Sequence, residues 1–541
     1  MGFGPVGQAV ANFLGQQGIR TACFDQAAEP YGLPRAVATD GEVMRLLDSV
    51  GLSERAMEDM HLGPALEFAG AGDEVLLRFQ PRPSDGYPAI GLFYQPNLER
   101  VLAEGAARFE SVQVHMRSRV EALEQRPTGV DLWVRDLDSG RTRAVHCEYA
   151  LGCDGARSTV RIASGIPFPG ATSSQPWLVV DCEIPAPIEH LQNIHYFSSP
   201  RPGVTMPLSA RRHQRWEWML DGDEDPSEMT RPETVRGLLE PFVDPDEVKV
   251  LRAVTYNYQA RIAERWRAGR LLIAGDAAHV MPQFAGQGMS AGIRDAANLG
   301  WKLGAVIRGQ AGPPLLDSYQ LERRANVAMH TRFTRSLGAI VQVREPRVAA
   351  ARNAAIRLIA RVARSRLERG ASPPGTIYEE GAFVTGQKRG RPGFGPRPPT
   401  GAMLPQPRVR MAEGKELPLD RLLGCGWGVV GLERDPRDDL GPEALALWEW
   451  LGARFVRLLP AGAAPLPDEG STVTAAAVED QLADWFEVHG GQVAFVRPDR
   501  IVFALTTGAG ADRSAAAYRE LAGPPAPLAA VPAGGLGEHA P

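Results

Sequence analysis

The sequence predicts an α/β protein in three parts: a Rossmann-like domain, an inserted β-sheet domain and a smaller C-terminal α/β unit. Three observations predict it. A glycine-rich turn, a helix and a strand follow one another within the first 25 residues. A second strand–turn–helix of similar texture returns at 271–301, LLIAGDAAHVMPQFAGQGMSAGIRDAANLGW. Between them, residues 176–258 carry strand-like segments with few long helical stretches. The length of 541 residues also calls for several domains, because single cores stop growing near about 250–300 residues.

Taken in order, Val6, Val10, Phe13 and Leu14 keep helical spacing, Gly18 ends that helix, and Ile19 to Phe24 reads as a strand. Residues 39–50 begin another helix, with Thr39 and Glu42 in capping-box spacing. Residues 96–109 read as helix, and 130–135 alternate as a strand. WLVVDCEI, RWEWML and VLRAVTYNY supply strands of the insertion, 271–275 is a short apolar strand, and a helix follows Gly288. From Leu315 to Gly370 the pattern is helical and rich in Ala and Arg. Residues 385–411, dense in Pro, Gly and Arg, read as a linker or an extended crossing segment. Residues 416–507 form a smaller α/β unit with strands WGVVGL and VAFVRP. The last stretch, rich in Ala, Pro and Gly, is expected to be disordered. The expected division is 1–175 and 259–345 for the Rossmann-like domain and 176–258 for the inserted sheet. A connection at 346–411, a C-terminal unit at 412–508 and a tail at 509–541 complete it.

Composition narrows the function. Hydrophobic residues make up 44% and charged residues 23%, an ordinary globular balance. A net charge of -5 gives no basic footprint for nucleic acid. The Arg-rich stretch 344–370 has an apolar stripe (Ile356, Ile359, Ala363) and few aromatics, so it reads as a packed helix with a solvated face. Five scattered cysteines without a CxxC pair indicate no disulfide framework, zinc knuckle or redox centre. No apolar run approaches the ~20 residues of a membrane span, and no signal peptide is visible. The expectation is a cytoplasmic enzyme with no metal, no nucleic-acid partner and no membrane association.

Gly2-Phe3-Gly4-Pro5-Val6-Gly7 is a G-x-G-x-x-G turn opening a helix. Glycines let the backbone turn tightly and approach a pyrophosphate, and the helix start offers unpaired N–H groups and a positive dipole end. Asp25 ends the following strand, where an acid can bind ribose hydroxyls. Alone, the glycine turn is a weak signal; the helix, strand and acid in order strengthen it. The motif should follow a buried parallel strand, yet only Met1 precedes Gly2. The expectation is a first strand upstream of this start. A second stretch, LGCDGARSTVR, brings Asp154-Gly155 to the end of a strand; by itself it is an Asp-Gly turn. The third, GDAAHVMPQFAGQGMS, places Asp276 to meet a sugar hydroxyl. It also leaves Gly286, Gln287 and Gly288 as bare backbone at a helix start.

These three stretches resemble the GxGxxG, DG and GD motifs of the FAD-dependent aromatic hydroxylases of the para-hydroxybenzoate-hydroxylase fold. PRAVATDGEVMRLLDSVGL, FYQPNLE, RWEWML, SYQLERR and VRPDRIVFA extend the likeness from Gly2 to about Ala504. Together they look most like the 3-(3-hydroxyphenyl)propionate/3-hydroxycinnamate hydroxylases. The resemblance implies a Rossmann-like FAD-binding domain, an inserted sheet domain for substrate, and a thioredoxin-like C-terminal domain without redox cysteines. The single Cys425 agrees with that loss. It further implies noncovalent FAD, NADH (or NADPH) as reductant, O2, and a small phenol hydroxylated beside its own hydroxyl. A homodimer is compatible with it. Carried over by position, Gly4, Gly7 and Asp25 would hold the adenosine end of FAD, with Gly2 in the same turn. Arg35 and Gln95 would reach the cofactor from neighbouring loops. Asp154, with Gly155, would serve both FAD and NADH, Asp276 the ribityl chain, and the backbone of Gly286 to Met289 the flavin ring. Relatives often carry Asn after the Met, where this chain has Ser290.

The catalytic base is open. Asp40 aligns with an acid–base aspartate of related phenol hydroxylases, or it merely caps the helix starting near Gly41. His279 reads as structural, fixing the strand-to-helix turn. His195 and Tyr196 read as a partly buried, satisfied pair. Of Arg211, Arg212 and Arg215, at least two read as a solvated turn, while one could face an acid group. Trp216 and Trp218 share one strand face and read as core. WEWML lacks the Ile-Pro that halogenases of this superfamily carry after their W-x-W. Two further readings stand: a hydroxylase of a larger phenolic or polyketide, and a flavin-free relict.

Overall fold

Met1 and Gly2 tie two strand ladders together in the first unit of the computed structural model. It describes residues 1–541 apart from 71–73, 84, 199–200, 363–374, 386–398, 465–467, 469 and 525–541. Thr21–Phe24 pairs in parallel with Val112–His115, and Ala150–Gly152 pairs in parallel with Leu271–Ile273. Between the two ladders the Gly2 N–H donates to Phe24 O, and the Cys153 N–H donates to Met1 O. The terminal amine donates to Leu151 O. The dipeptide therefore satisfies the C-terminal ends of the strands on either side, where open α/β sheets bind ligands.

The helix Pro5–Gly15 starts from that end and packs against Gln95–Ala107 and the long helix Gln287–Ile307. Small residues permit the approach: a Cβ on Gly292 would stand 2.4 Å from Val6, and one on Gly300 2.9 Å from Phe13. A three-stranded antiparallel sheet, Ser118–Gln125, Val130–Asp136 and Thr142–Cys147, flanks this unit.

The inserted sheet has seven strands in the order Lys249–Tyr256, Trp177–Glu183, His213–Met219, Gly203–Pro207, Ile194–Phe197, Leu66–Ala69, Val75–Phe79. Pairing is antiparallel except between Ile194–Phe197 and Leu66–Ala69. Its last two strands come from 66–79, so the sheet reaches outside the 176–258 span expected for it. Alternation splits its side chains. Leu178, Val180, Trp216 and Trp218 pack under the helix Pro232–Leu239, which makes both tryptophans core. Trp177, Tyr196, Val204, Met206 and Met219 face the other way, against Phe284, Val37 and Ala38 of the first unit.

Asp317–Val341 and Pro346–Val362 are two helices with Pro346 opening the second; the rest of the expected helical run, 363–370, lies outside the described residues. On the second helix Ile356 is half-buried but Ile359 is 53% exposed, so the expected stripe is not the packed one. Asn353 takes the buried position instead. The linker expected at 385–411 falls partly on 386–398, outside the described residues. Against the disorder expected for 509–541, Asp512–Ala522 forms a helix that buries Ala515, Tyr518 and Ala522, and 525–541 lies outside the described residues.

The C-terminal sheet runs Glu416–Pro418, Arg408–Arg410, Thr472–Ala477, Arg454–Leu459, Gly428–Leu432, Val493–Val496, Val502–Thr506. Its central three strands are parallel and the others antiparallel. It docks on the first unit through buried ion pairs. Arg497 meets Glu322 at 2.8 Å, and Arg45 meets Asp420 at 2.6 Å. Among the described residues no helix is long and apolar enough to cross a membrane, and no cluster of His, Cys, Asp and Glu is placed to hold a metal.

Candidate active site

Three turns converge at the C-terminal ends of the parallel strands, and Val6 joins two of them. A Cβ added to Gly275 would lie 2.8 Å from the Val6 side chain. Gly2, with φ +88°, joins the third: a Cβ there would meet Cys153 O at 2.4 Å and Asp154 Cα at 2.9 Å. A Cβ on Gly7 would strike Gly2 O at 2.1 Å, so the turn closes only on glycine. Gly4 is different. Nothing lies within 4 Å of its missing Cβ, and it precedes the Pro5–Gly15 helix with no side chain capping it. The first-turn N–H groups and the positive helix end are left for an anion.

Asp25 closes the turn onto its strand. Its Oδ2 accepts from the Phe3 N–H at 2.7 Å and its Oδ1 from the Ala27 N–H at 2.8 Å. Lone pairs remain for a sugar hydroxyl. Asp154 Oδ2 accepts from the N–H groups of Thr159 and Val160, at 2.7 and 3.3 Å. Its Oδ1 is buried with no partner. Such an oxygen costs about 1–3 kcal/mol until something donates to it. Gly155, at φ +77°, keeps the neighbouring space open.

In the third turn the Gly275 N–H donates to Asp295 Oδ2 at 3.0 Å. Asp295 also pairs with His279 Nε2 at 2.6 Å and with Arg323 Nε at 2.8 Å. Burial would raise the Asp295 carboxyl, but His279 and Arg323 hold it below its ordinary value. His279 is thus the buried brace of the turn. Asp276 points the other way. Its residue surface is open to solvent, yet surrounding protein raises its carboxyl, with His279 and Arg35 opposing. Beyond it, Gly286 adopts φ +62°, and a Cβ there would lie 2.7 Å from Ala38 Cβ. It precedes the long helix without a side-chain cap. Nothing stands within 4 Å of a Cβ on Gly288, while Met289 is buried beneath. Gln287 is half-buried, and Ser290 Oγ lies 3.5 Å from Ala38 O.

Gln95 and Arg35 play unequal parts. Gln95 is buried, its Oε1 accepting from the N–H groups of Arg35 and Ala36 and its Nε2 donating to Glu99. Its side chain positions the loop. Arg35 is exposed, stacks 4.0 Å over the Tyr31 ring, and acts on Asp276 electrostatically.

Asp40 is the helix cap. The helix is Gly41–Ser49, not the run from 39, and Asp40 Oδ1 accepts from the Val43 N–H at 3.2 Å. The Thr39/Glu42 capping box does not form. Thr39 Oγ1 is buried without a partner, and Glu42 instead binds Arg294 at 3.0 Å and Thr376. Arg294 also holds Asp40 at 2.7 Å. Burial would raise the Asp40 carboxyl, but Arg294 and the Val43 N–H bring it below the ordinary range. It is poorly suited to take a proton near neutrality.

On the sheet face above these turns, Tyr196 donates to Phe284 O at 2.9 Å. His195 Nδ1 lies 3.2 Å from Glu67 Oε2. Arg211 and Arg212 are exposed; Arg215 is buried, bonded to Asp181 at 2.5 and 2.9 Å and to the carbonyls of Pro34 and Arg35. The sequence reading missed Arg294, Asp295, Glu217 and Gln283. Gln283 lies inside the third motif. Glu217 stands between the two tryptophans, and the period-two alternation that makes those core turns Glu217 toward the first unit.

A bare phosphate turn, an orphan carboxylate oxygen, an exposed carboxylate and a second uncapped helix start fit a flavin dinucleotide. Comparison with known proteins agrees. Residues 1–334 match the FAD binding domain family, and 401–521 match the HcaD C-terminal domain. The chain is 36% identical over 518 residues to a 3-(3-hydroxy-phenyl)propionate/3-hydroxycinnamic acid hydroxylase of Mycobacterium avium, covering 93% of this chain and 88% of the relative. The flavin-dependent monooxygenase PieE, solved with FAD and substrate, superposes with a TM-score of 0.79 at 21% identity, over 96% of this chain and 97% of that one. The anhydrotetracycline hydroxylase OxyS of Streptomyces rimosus superposes at 0.72 with 26% identity, over 97% and 98%. The chain belongs to the FAD-dependent aromatic hydroxylases, monooxygenases built on the FAD binding domain family.

Proposed function

We propose that this enzyme hydroxylates 3-(3-hydroxyphenyl)propionate or 3-hydroxycinnamate ortho to the ring hydroxyl, with NADH (or NADPH) as reductant and O2 as co-substrate. The observation that carries this reading is the 36% identity, over 93% of the chain, to a hydroxylase named for those two acids. Gly2, Gly4, Gly7 and the first helical turn would hold the pyrophosphate and Asp25 the adenosine ribose. Asp154 would serve FAD and the nicotinamide, Asp276 the ribityl chain, and the Gly286–Met289 backbone the flavin ring. Bound FAD would supply hydride acceptance and activation of O2.

The chain's own tasks are orientation, exclusion of water and proton transfer. Trp177, Tyr196, Met206, Met219 and Phe284 line an apolar face that would keep water from the reacting ring. A phenol reacts faster as its phenolate, so a nearby group must take the hydroxyl proton. We read the C-terminal unit as thioredoxin-like, because 454–459, 428–432, 493–496 and 502–506 adjoin in that order with only the first pair parallel.

A second reading, a larger phenolic substrate, is favoured by Arg215. Its guanidinium makes five hydrogen bonds within the protein and has no donor left for a substrate carboxylate. NADH consumption by the FAD-loaded enzyme, followed with product analysis, separates the two. With 3-(3-hydroxyphenyl)propionate, consumption accelerates and a catechol accumulates. No acceleration and no catechol would reject this substrate; acceleration with only hydrogen peroxide would make it an effector.

A further inference from the structure

One carboxylate on the substrate-facing side of the sheet, Glu217, shares its cation, Arg215, with a second carboxylate, Asp181. In the ladder, Glu217 lies opposite Val179 on one side and Val204 on the other, and Tyr196 follows opposite Val204. This row faces the first unit, away from Trp216 and Trp218. Glu217 is only 5% exposed. Its Oε2 accepts from Gln283 Nε2 at 3.0 Å, and Gln283 belongs to the turn that leads into Gly286–Met289. The nearest cation, Arg215, stands 3.5 Å from Oε1 but is engaged bidentately by Asp181.

Among the described residues, other polar atoms of this face are buried with no partner, including Gln283 Oε1, an acceptor, and the donors Trp177 Nε1 and Arg252 Nε. Trp177 packs edge-on against Phe284, the residue after Gln283, at 5.4 Å. A carboxylate, a free amide oxygen and a free indole N–H thus stand at the join of the substrate sheet and the third flavin turn. Natural cores rarely leave such atoms unsatisfied unless a ligand or water completes them. A ring hydroxyl, which both donates and accepts, has the required chemistry.

We propose that Glu217 accepts the proton of the substrate's ring hydroxyl, an inference that rests on the phenol-hydroxylase reading above. The O–H bond of the phenol breaks, an O–H bond forms on a Glu217 carboxylate oxygen, and the electron pair stays on the phenolate oxygen. The charged and titratable groups that act on Glu217 or feel it are Arg215, Asp181, Tyr256 and Tyr196, and Arg252 lies beside Asp181 on the same face of the sheet. Burial raises its carboxyl above the ordinary value and Asp181 adds to this, while Arg215 and Gln283 pull it back. A base raised toward the working range is better matched to a phenol than Asp40, which is held low. Tyr196 is already committed to Phe284 O, and Asp181 to Arg215.

The test reads the bound ligand, not turnover. Phenol and 3-(3-hydroxyphenyl)propionate are titrated into FAD-loaded enzyme without NADH, and the phenolate absorbance band is followed against pH. Unmodified enzyme is expected to show bound phenolate well below the ~10 of a free phenol. Glu217→Gln should bind the ligand within about threefold but lose that band until the pH nears the free value. Glu217→Asp should restore part of it, and it carries the comparison if the Gln variant fails to fold. A band unchanged in either variant overturns the proposal, as does its absence from unmodified enzyme with every phenol tried. A band with phenol but not with the propionate, lost on Glu217→Gln, sustains Glu217 and rejects the proposed substrate.

Discussion

The long helix Gln287–Ile307 joins two polar regions built on opposite rules. At its start, backbone N–H groups are uncapped, Asp276 is exposed, and Asp154 Oδ1 has no partner. About three turns further along, Asn298 and Lys302 are buried among Glu322, Arg497 and Asp499, and the charges there are matched. Lys302 Nζ meets Glu322 at 2.9 Å and Asn298 at 2.9 Å, while Arg497 meets both Glu322 and Asp499. The comparison teaches how to tell a ligand site from a lock. Polar groups held for the fold are paired within the fold, and those held for a ligand are left incomplete.

Breaking the lock should have the largest effect. Glu322→Ala strands Arg497 and Lys302 against each other in the interior, and removing one partner of a buried pair costs about 3–5 kcal/mol. A markedly lower denaturant midpoint, with early proteolysis of the C-terminal unit, is the expected result. The pH dependence has a definite sign. Burial alone would raise the Glu322 carboxyl, but Arg497 and Lys302 bring it from 4.5 down to about 2. A depressed acid stabilises the fold above its unfolded value, so this contribution is complete above pH 4.5 and lost as pH falls toward about 2. Glu322→Ala should flatten that acid limb. An unchanged midpoint would refute the lock.

The two regions were unequally legible in the sequence. The ligand side was open to reading because its chemistry forces glycine at short, contiguous spacings. Gly2, Gly7, Gly275 and Gly286 each stand where a Cβ would collide. The lock was not, because its members are polar residues of ordinary type brought together from remote positions. Glu322 and Arg497 are 175 residues apart, and Asn298 and Asp499 are 201. The sheet strands at 66–79 were missed for the same reason, since their partner Ile194–Phe197 is far along the chain. Glu217 lay within a quoted motif and was overlooked because the flanking tryptophans dominated it. Gln95, read as a cofactor contact, gives its amide oxygen to the Arg35–Ala36 backbone and one amide hydrogen to Glu99.

The ligand side should respond in the other currency, affinity. Asp276→Ala removes a side chain for which no hydrogen-bond partner or ion pair is seen among the described residues. The apoprotein should melt within about 0.5 kcal/mol of the parent, as surface substitutions do. FAD affinity, read by flavin fluorescence quenching, should fall about 10–100-fold, the loss of a hydrogen bond to a charged group. If the apoprotein were destabilised instead and FAD bound as before, Asp276 would belong with the lock.

Asp40 sharpens the comparison most finely, because it sits between the two regions and touches the long helix through Arg294. Asn still caps a helix, so Asp40→Asn isolates the ion pair, and Glu42 remains to neutralise Arg294. The cost should be about 1 kcal/mol in the denaturant midpoint, well below that of Glu322→Ala. Burial raises the Asp40 carboxyl and Arg294 more than reverses it, so its contribution is present above the ordinary aspartate value and fades as pH drops through the lowered one. Near neutrality the variant should bind FAD and hydroxylate at close to the parent rate, because a carboxylate held low by a guanidinium is a weak proton acceptor. Hydroxylation lost at unchanged stability, with the bell of the pH–rate profile displaced, would return Asp40 to the acid–base role and remove it from the fold's side of the comparison.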